Sequence, residues 1–173
     1  ADAAKFQSLN FEKVHHPVRS SENIAQLYKK INLPENWHQK LADHCNKCGL
    51  HFLSSVTYVE AIDLVVSAGA PAIKIASAQF DIFSDLVTKA AQTGLPLIMS
   101  SGLADYGGIE RMKNLVNREG NDKFILLHCV TEYPAPVERV NLNLIKTYRR
   151  AFGCIVGYSD HTIGEHAALT AVG

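Results

Sequence analysis

Short apolar runs alternate with longer amphipathic stretches along the whole chain. The apolar runs have the length of buried strands, and the stretches between them carry apolar residues at helical spacing. The predicted strands cover residues 3–7, 50–54, 72–79, 95–100, 123–130 and 154–158. The predicted helices cover residues 21–30, 35–48, 58–68, 81–93, 105–119 and 141–152, and a further helix begins at residue 163. Asp105 and Asn141 are suitable caps for two of the helix starts, and Gly49 is a stop signal.

Regular alternation of apolar strands with helices predicts a parallel sheet covered by helices. We predict an α/β fold, a (β/α)8 TIM barrel of which residues 1–173 hold about units 2 to 7 as one partial domain. An open doubly wound sheet fits the same alternation. It more often carries a glycine-rich turn after its first strand, which residues 7–10 lack. The chain has no initiator methionine and stops inside a helical pattern, so we expect a piece of a longer protein.

Composition narrows the function classes. Hydrophobic residues make up 47% of the chain, and 17 basic residues balance 17 acidic ones, which gives no support to a nucleic-acid or membrane partner. No apolar run approaches the ~20 residues of a membrane span. The 4 cysteines do not form the pattern of a disulfide framework at this length. A cytoplasmic setting is therefore predicted.

The predicted strand at residues 72–79 carries a lysine in its middle. Lys74 stands between Ile73 and Ile75, although buried parallel strands are usually near-continuous apolar runs. Lys5 repeats this arrangement in the first strand. Because a buried unpaired ammonium is strongly disfavoured, a carboxylate from another strand or an anionic ligand should meet Lys74. A structural ion pair, or a lysine whose ammonium reaches the mouth of the barrel, is the alternative.

Polar residues gather at the carboxyl ends of the predicted strands, where parallel α/β folds place their active sites. They are Lys5, Gln7, Ser54, Ser55, Lys74, Ser77, Gln79, Ser100, Ser101, His128, Thr131, Ser159, Asp160 and His161. Lysines supply charge and hydroxyls supply directed donors, so this set suits a ligand with phosphate and carboxylate groups. Few acidic residues belong to it, which disfavours a carboxylate-rich magnesium site.

Three motifs allow both a functional and a structural interpretation. His161 follows a strand end and is a residue type that binds Mn, Fe or Zn, but one histidine does not make a metal site. His128, inside an apolar run, suits a core histidine as well as a ligand. Cys45 and Cys48, beside His44, resemble a zinc or redox motif. Without a second pair of ligands nearby, two semi-buried thiols at a helix end are the better interpretation.

Six segments resemble the sialic acid (N-acetylneuraminate) synthase family, which includes the spore-coat polysaccharide E-type synthases of nonulosonic acids. In chain order, they are residues 1–7 (ADAAKFQ), 52–55 (FLSS), 73–77 (IKIAS), 97–102 (LIMSSG), 127–136 (LHCVTEYPAP) and 157–162 (GYSDHT). The last two are the most specific. Together they span the whole chain in the order of the family.

The resemblance implies a TIM barrel that condenses phosphoenolpyruvate with an N-acetylated aminosugar, such as N-acetylmannosamine. The enol carbon attacks the aldehyde, water adds at the enol-ether carbon, and phosphate leaves by C–O cleavage. It implies catalytic roles for Lys5, Lys74, Gln79 and Tyr133, and substrate-binding roles for Ser55, Ser77, Ser100, Thr131 and Ser159. It also implies that His161 binds a divalent metal, Mn or Mg, and that the full-length protein is a homodimer. The second metal histidine and the C-terminal antifreeze-like domain of the family have no counterpart in these residues.

Gln79 stands where the family usually has a glutamate, and an amide cannot act as a base. A non-catalytic barrel that binds an anionic sugar, or one that has lost activity, therefore stays open. A Schiff-base aldolase using Lys74 or Lys5 is a further alternative. We expect this piece of the chain to be inactive by itself.

Overall fold

A computed structural model describes residues 1–14, 22–77, 80 and 83–172, and only the backbone of residues 22–24. The strands are β1 (Ala3–Ser8), β2 (His51–Val56), β3 (Ile73–Ile75), β4 (Leu97–Ser100), β5 (Phe124–Cys129) and β6 (Ile155–Ser159). The helices are α1 (Glu22–Lys30), α2 (His38–Lys47), α3 (Ala61–Ser67), α4 (Ser84–Gln92), α5 (Tyr106–Arg118), α6 (Asn143–Phe152) and α7 (His166–Val172). The chain divides into two compact units, residues 1–74 and 75–173.

In the first unit, β2 pairs in parallel with β1 along its whole length and with β3 at Lys74. Helix α2 covers one face of these strands. The rings of Phe6 and Phe52 stack on that face at 5.8 Å between centroids, and His38 of α2 meets Phe52 edge-on at 6.5 Å. This apolar layer between helix and strands excludes water and stabilises the unit.

In the second unit, β5 lies between β4 and β6, and both pairings are parallel. Met99, Leu126 and Val156 stand side by side in the register and are buried. Helix α6 packs on this face, where the Tyr148 ring lies 5.9 Å from the ring of His128. The parallel strands alternating with helices confirm the predicted α/β class in each unit.

Several predicted boundaries are confirmed and others shift. Asp105 caps α5, since its side chain accepts a 2.7 Å hydrogen bond from the Gly108 amide. The helix predicted at residues 35–48 is split into a 3-10 turn, Glu35–Trp37, and α2. Asn141 does not cap α6, because it adopts a positive φ of 41° and the helix begins two residues later. Asparagine tolerates this left-handed conformation better than most residues.

Strand β3 is much shorter than the predicted strand at residues 72–79. The Ala76 carbonyl accepts a 3.2 Å hydrogen bond from the Phe80 amide, and Ser77 lies in a turn. The chain therefore leaves the sheet directly after Ile75, and local bonding takes the place of further strand pairing. Residues 78–79 and 81–82 lie outside the described residues.

No helix in the described ranges combines the length and the apolar character needed to cross a membrane.

A cluster around Glu35 ties the segment after β1 to the start of α2. The Glu35 carboxylate accepts hydrogen bonds from Lys13 Nζ at 2.7 Å and from the Tyr58 hydroxyl at 3.0 Å. It also lies 3.4 Å from the Asn10 amide nitrogen. The bond from Lys13, opposed by partial desolvation, acts with the Tyr58 bond to hold the pKa of Glu35 below its ordinary value.

Replacing Glu35 with glutamine should make the stability of the protein less sensitive to acid. A lowered carboxyl pKa contributes stability that is present above the unfolded-state pKa of about 4.3 and is lost as pH falls through the folded pKa. At pH 7 we expect the free energy of unfolding of the wild type to exceed that of Glu35→Gln by about 1 kcal/mol or less, because the Lys13–Glu35 ion pair is half-exposed. Urea denaturation at pH 7, 5, 4 and 3 should show this difference shrinking below pH 4. The exposed Glu138→Gln serves as control, and a difference that does not change with pH would contradict the prediction.

Candidate active site

Strand geometry places four predicted residues of the first unit on one face. Side chains alternate along a strand, and α2 covers the face that carries Phe52. Lys5, Gln7 and Ser55 therefore lie on the opposite face, where Gln7 and Ser55 are neighbours in the register. Lys74 is in register with Ser55 and shares that face. The first unit thus brings together two lysines, an amide and a hydroxyl from three parallel strands.

The two lysines differ in burial. Lys74 is 8% exposed, which confirms that this strand buries a charged residue, and the neighbouring Ser55 is 2% exposed. Lys5 is exposed, so the expectation that it repeats the burial of Lys74 was wrong. Within the described residues β1 has β2 as its strand neighbour on one side, and α2 covers only the face opposite Lys5. An ammonium at such an edge keeps its hydration.

In the second unit, Ser77 and Thr131 meet although they are far apart in sequence. The Thr131 hydroxyl donates a 3.1 Å hydrogen bond to Ser77 Oγ. Gly102 packs directly against this pair. A Cβ atom built on Gly102 would lie 2.2 Å from the Ser77 Cβ and 2.3 Å from Thr131 Oγ1, and its φ of +25° is already unusual for other residues. Only glycine fits beside these two hydroxyls.

Ser100 and Ser159 also belong to one face of their sheet. Ser100 aligns with Leu127 on β5, and Ser159 aligns with Cys129 on the same strand. Leu127 and Cys129 are two residues apart, so both serines lie on the face opposite the helix-packed His128. Ser100 is buried and Ser159 is half-buried. The second unit therefore contributes hydroxyl donors where the sequence predicted them.

His161 is held by the backbone carbonyl of Val130 and by an aromatic ring. Its Nδ1 lies 2.8 Å from the Val130 carbonyl oxygen and 3.8 Å from the Cys129 sulfur. The Tyr133 ring stacks on the imidazole with 4.1 Å between centroids. Because a carbonyl only accepts, Nδ1 carries the proton, and in the neutral ring the lone pair is on Nε2. This tautomer and its carbonyl partner are the form in which histidine binds a metal.

Asp160 adjoins His161 and is fixed by two donors. Its Oδ1 accepts hydrogen bonds from the Tyr158 hydroxyl at 3.1 Å and from the Thr162 amide at 2.8 Å. Burial opposes ionisation, but these bonds and the nearby imidazole hold the pKa of the Asp160 carboxyl below its ordinary value. Burial and the bond to Asp160 together raise the pKa of Tyr158 to about 12. Asp160 is therefore an anion beside the candidate metal ligand.

The structure favours the structural interpretation of His128 and of the Cys45 and Cys48 motif. His128 faces the helices, and its Nε2 lies 2.6 Å from the Val140 carbonyl, while its buried Nδ1 has no hydrogen-bond partner within the described ranges. Cys45 is buried at the end of α2, and Cys48 is exposed with its sulfur 3.7 Å from His44 Nε2. Among the described residues, no three or more histidine, cysteine or acidic side chains cluster as metal ligands. Gln79 lies outside the described residues.

Sequence reasoning missed Gly102 as part of the site and missed the contact between Cys129 and His161. The run Ser100-Ser101-Gly102 directly after a strand was the available signal for the glycine, since close backbone approach selects glycine. No sequence signal pointed to the sulfur, because its neighbour lies 32 residues away.

A model of the NeuB family matches residues 1–173 of the chain. The N,N'-diacetyllegionaminic acid synthase of Campylobacter jejuni is 35% identical over 185 residues, covering 99% of this chain and 55% of that protein. The pseudaminic acid synthase of Helicobacter pylori is 38% identical over 151 residues, covering 87% of this chain and 44% of that protein. The chain thus spans about half the length of the curated relatives it matches.

A crystal structure of an N-acetylneuraminic acid synthetase from Leptospira borgpetersenii, in complex with citrate, also resembles the chain. The TM-score is 0.89 at 31% identity, covering 99% of this chain and 59% of that one. This likeness to a TIM-barrel-like synthase, together with the alternating parallel strands and helices of each unit, confirms the predicted α/β fold class.

Replacing Gly102 with alanine should disturb the Ser77–Thr131 contact. The added methyl group has no room, so one of the two hydroxyl side chains must move, and we expect a loss of about 1–3 kcal/mol in unfolding free energy. Gly107→Ala on α5 is the matched control, because its new Cβ would lie 3.3 Å from the end of the flexible Arg111 side chain and at an ordinary 3.5 Å from Asp105 Oδ1. Chemical denaturation of both variants measures the difference. Equal stability of Gly102→Ala and the wild type would contradict the close approach.

Proposed function

The chain belongs to the NeuB family, and we propose that the protein containing it condenses phosphoenolpyruvate with an N-acetylated aminosugar to make a sialic or related nonulosonic acid. Relatives named as synthases of legionaminic, pseudaminic and N-acetylneuraminic acids support a product of this class. The motifs that resemble the sialic acid synthases support phosphoenolpyruvate as the other substrate.

The observation that carries the proposal is the burial of Lys74 beside Ser55. Both side chains are nearly inaccessible and stand in register on the face of the first unit that α2 does not cover. A lysine and a hydroxyl in such a place suit a ligand that carries both phosphate and carboxylate, because charge-assisted hydrogen bonds are strongest where water is scarce. We propose that they bind phosphoenolpyruvate, and that Lys5 adds positive charge from β1.

In the second unit, the hydroxyl side chains have matching proposed roles. From the resemblance, we propose that Ser77, Ser100 and Ser159 donate hydrogen bonds to substrate oxygens, and that Thr131 orients Ser77 through their 3.1 Å contact. Tyr133, which is 75% exposed, is available to contact the aminosugar. Gln79 is proposed to contact the sugar through its amide, which donates and accepts hydrogen bonds but does not transfer a proton as a carboxylate does.

His161 is the residue of the chain that would hold a divalent metal, Mn or Mg, through Nε2. Its Nδ1–H bond to the Val130 carbonyl and the stacked Tyr133 ring fix the orientation of the imidazole. The anionic Asp160 alongside favours a cation. When bound, the metal supplies Lewis-acid polarisation of the sugar carbonyl.

In the proposed reaction, a carbon–carbon bond and a carbon–oxygen bond to water form, and the carbon–oxygen bond to phosphate breaks. The enol carbon of phosphoenolpyruvate attacks the aldehyde carbon, whose oxygen takes up a proton. Water adds to the former enol-ether carbon, and phosphate leaves by cleavage of its C–O bond. Lys74 and Ser55 hold the phosphate and carboxylate in place, which positions the enol carbon for its attack.

An assay of phosphate release tests the proposal on the complete protein. Phosphate should appear only when phosphoenolpyruvate, a divalent metal and a suitable N-acetylated hexosamine are all present. A panel of hexosamines with Mn²⁺ or Mg²⁺ identifies the sugar and the metal. No release with any member of the panel would count against a synthase and favour a barrel that binds an anionic sugar without turnover. In that case Gln79→Glu, which restores the carboxylate usual in the family, should restore turnover if the amide is the cause.

Borohydride trapping separates the synthase from a Schiff-base aldolase. A lysine imine with pyruvate is reduced to a stable adduct, which mass spectrometry detects at Lys74 or Lys5. The proposed synthase forms no imine, so we expect no adduct.

Lys74→Met should weaken binding of phosphoenolpyruvate without unfolding the protein. Methionine keeps a similar volume and suits a buried strand, so we expect the variant to stay folded. The loss of a buried charge-assisted bond should reduce affinity by about tenfold or more. Isothermal titration with phosphoenolpyruvate and thermal denaturation measure the two effects. Lys40→Met, at an exposed position of α2, is the control. An unfolded Lys74→Met would instead assign Lys74 to a structural ion pair.

A further inference from the structure

A fully buried polar chain connects α2 to β1 and β2 in the first unit. Ser8 Oγ lies 2.7 Å from His38 Nε2 and 2.7 Å from Ser54 Oγ. The other ring nitrogen, His38 Nδ1, lies 2.9 Å from the Glu35 carbonyl oxygen. Ser8 and Ser54 are 0% exposed and His38 is 2% exposed. The chain is therefore shielded from water, and its contacts must be satisfied internally.

The direction of each hydrogen bond follows from the carbonyl at one end. The Glu35 oxygen only accepts, so His38 Nδ1 donates, and Nε2 of the neutral ring accepts. Ser8 must then donate its proton to Nε2 and accept from Ser54. This arrangement of protons satisfies every contact, so the neutral histidine fixes the direction in which both serine hydroxyls donate.

The same chain holds the backbone at the carboxyl ends of two strands. Ser8 is the last residue of β1, and its carbonyl accepts a 2.8 Å hydrogen bond from the buried hydroxyl of Thr57, directly after β2. Gln7 directly precedes Ser8 in the sequence, and Ser55 directly follows Ser54. Gln7 and Ser55 are neighbours in the register, and their side chains lie on the other face of the sheet. A rotation or shift at Ser8 or Ser54 would therefore move Gln7 or Ser55 as well.

We propose that His38 is a positioning residue for substrate binding, acting through Ser8 and Ser54 on Gln7 and Ser55 across the sheet. The imidazole does not touch substrate, since it lies on the helix-covered face. Instead, His38 fixes the positions of the carboxyl ends of β1 and β2, and therefore the position of the Ser55 hydroxyl. The proposal rests on the proposed function for the identity of the ligand, but the ordering of the strand ends is a property of the protein alone.

Two substitutions of His38 separate positioning from packing. His38→Leu keeps much of the volume but leaves Ser8 without its acceptor. His38→Gln retains an acceptor for Ser8 and a donor for the Glu35 carbonyl. We expect His38→Leu to weaken phosphoenolpyruvate binding by about tenfold, because small displacements of binding groups have large effects, and His38→Gln to restore it to within about threefold. His44→Leu, at an exposed position of the same helix, should bind as the wild type does.

Isothermal titration of phosphoenolpyruvate into the complete protein, well below the thermal midpoint of each variant, gives the affinities. Wild-type affinity in a folded His38→Leu would overturn the proposal, since a purely structural histidine would lower only the thermal midpoint. If His38→Leu does not fold, Ser54→Ala removes the far end of the chain and should weaken binding by about threefold or more. A folded Ser54→Ala with unchanged affinity would likewise overturn the proposal.

Two measurements do not depend on phosphoenolpyruvate. Nitrogen-15 spectra of the imidazole should show His38 protonated at Nδ1, and protonation at Nε2 alone would overturn the proposed bond directions. In His38→Leu, amide hydrogen exchange should accelerate at Gln7, Ser55 and their strand neighbours. In His38→Gln the acceleration should be far smaller, and exchange in β5 should be unchanged in both variants. Uniform acceleration would overturn a local role. If the wild type binds no phosphoenolpyruvate, the proposed function fails, while these two measurements still decide the role of His38.

Discussion

The alternation of side chains along a parallel strand is the constraint on which the candidate site depends. At the carboxyl ends of the strands, the side chains of two successive polar residues lie on opposite faces of the sheet, and among the described residues helices cover only one of these faces. Ser54 bonds within the helix-covered layer while Ser55 lies on the other face. In the second unit, His128 packs against Tyr148 of α6 while Cys129 aligns with Ser159 on the opposite side. One residue of each pair supports the fold, and the next lies on the face that carries the candidate site residues.

This division explains why so many polar residues are tolerated close to the core. A buried polar group is destabilising unless it is hydrogen-bonded, and the helix-side members are nearly all satisfied. Ser8, Ser54 and His38 satisfy one another, and the His128 Nε2 bonds to a backbone carbonyl. The members on the other face include the residues that are proposed to bind substrate. This arrangement is consistent with the anionic substrate proposed for the protein.

Within the second unit, close backbone approach contributes a further requirement. Gly102 leaves room for Ser77 and Thr131 to meet, and the short turn after β3 brings Ser77 out of the strand. His161 is oriented by a carbonyl and by the Tyr133 ring. The hydroxyls and the imidazole are thus held by contacts within the protein, which keeps their geometry independent of bound substrate.

The amino-acid pattern alone determined the alternation of strands and helices, the Asp105 cap and the burial of Lys74, because these depend on local periodicity and on the scarcity of charge in buried strands. The motifs also indicated the family, since their order along the chain is preserved. Only the tertiary structure decided that Lys5 is exposed, that Ser77 meets Thr131 over Gly102, and that His38 joins the ends of two strands. These contacts join residues far apart in sequence. They depend on which sheet face a helix covers and on how closely two backbones approach, neither of which is encoded in the spacing of residues along one strand.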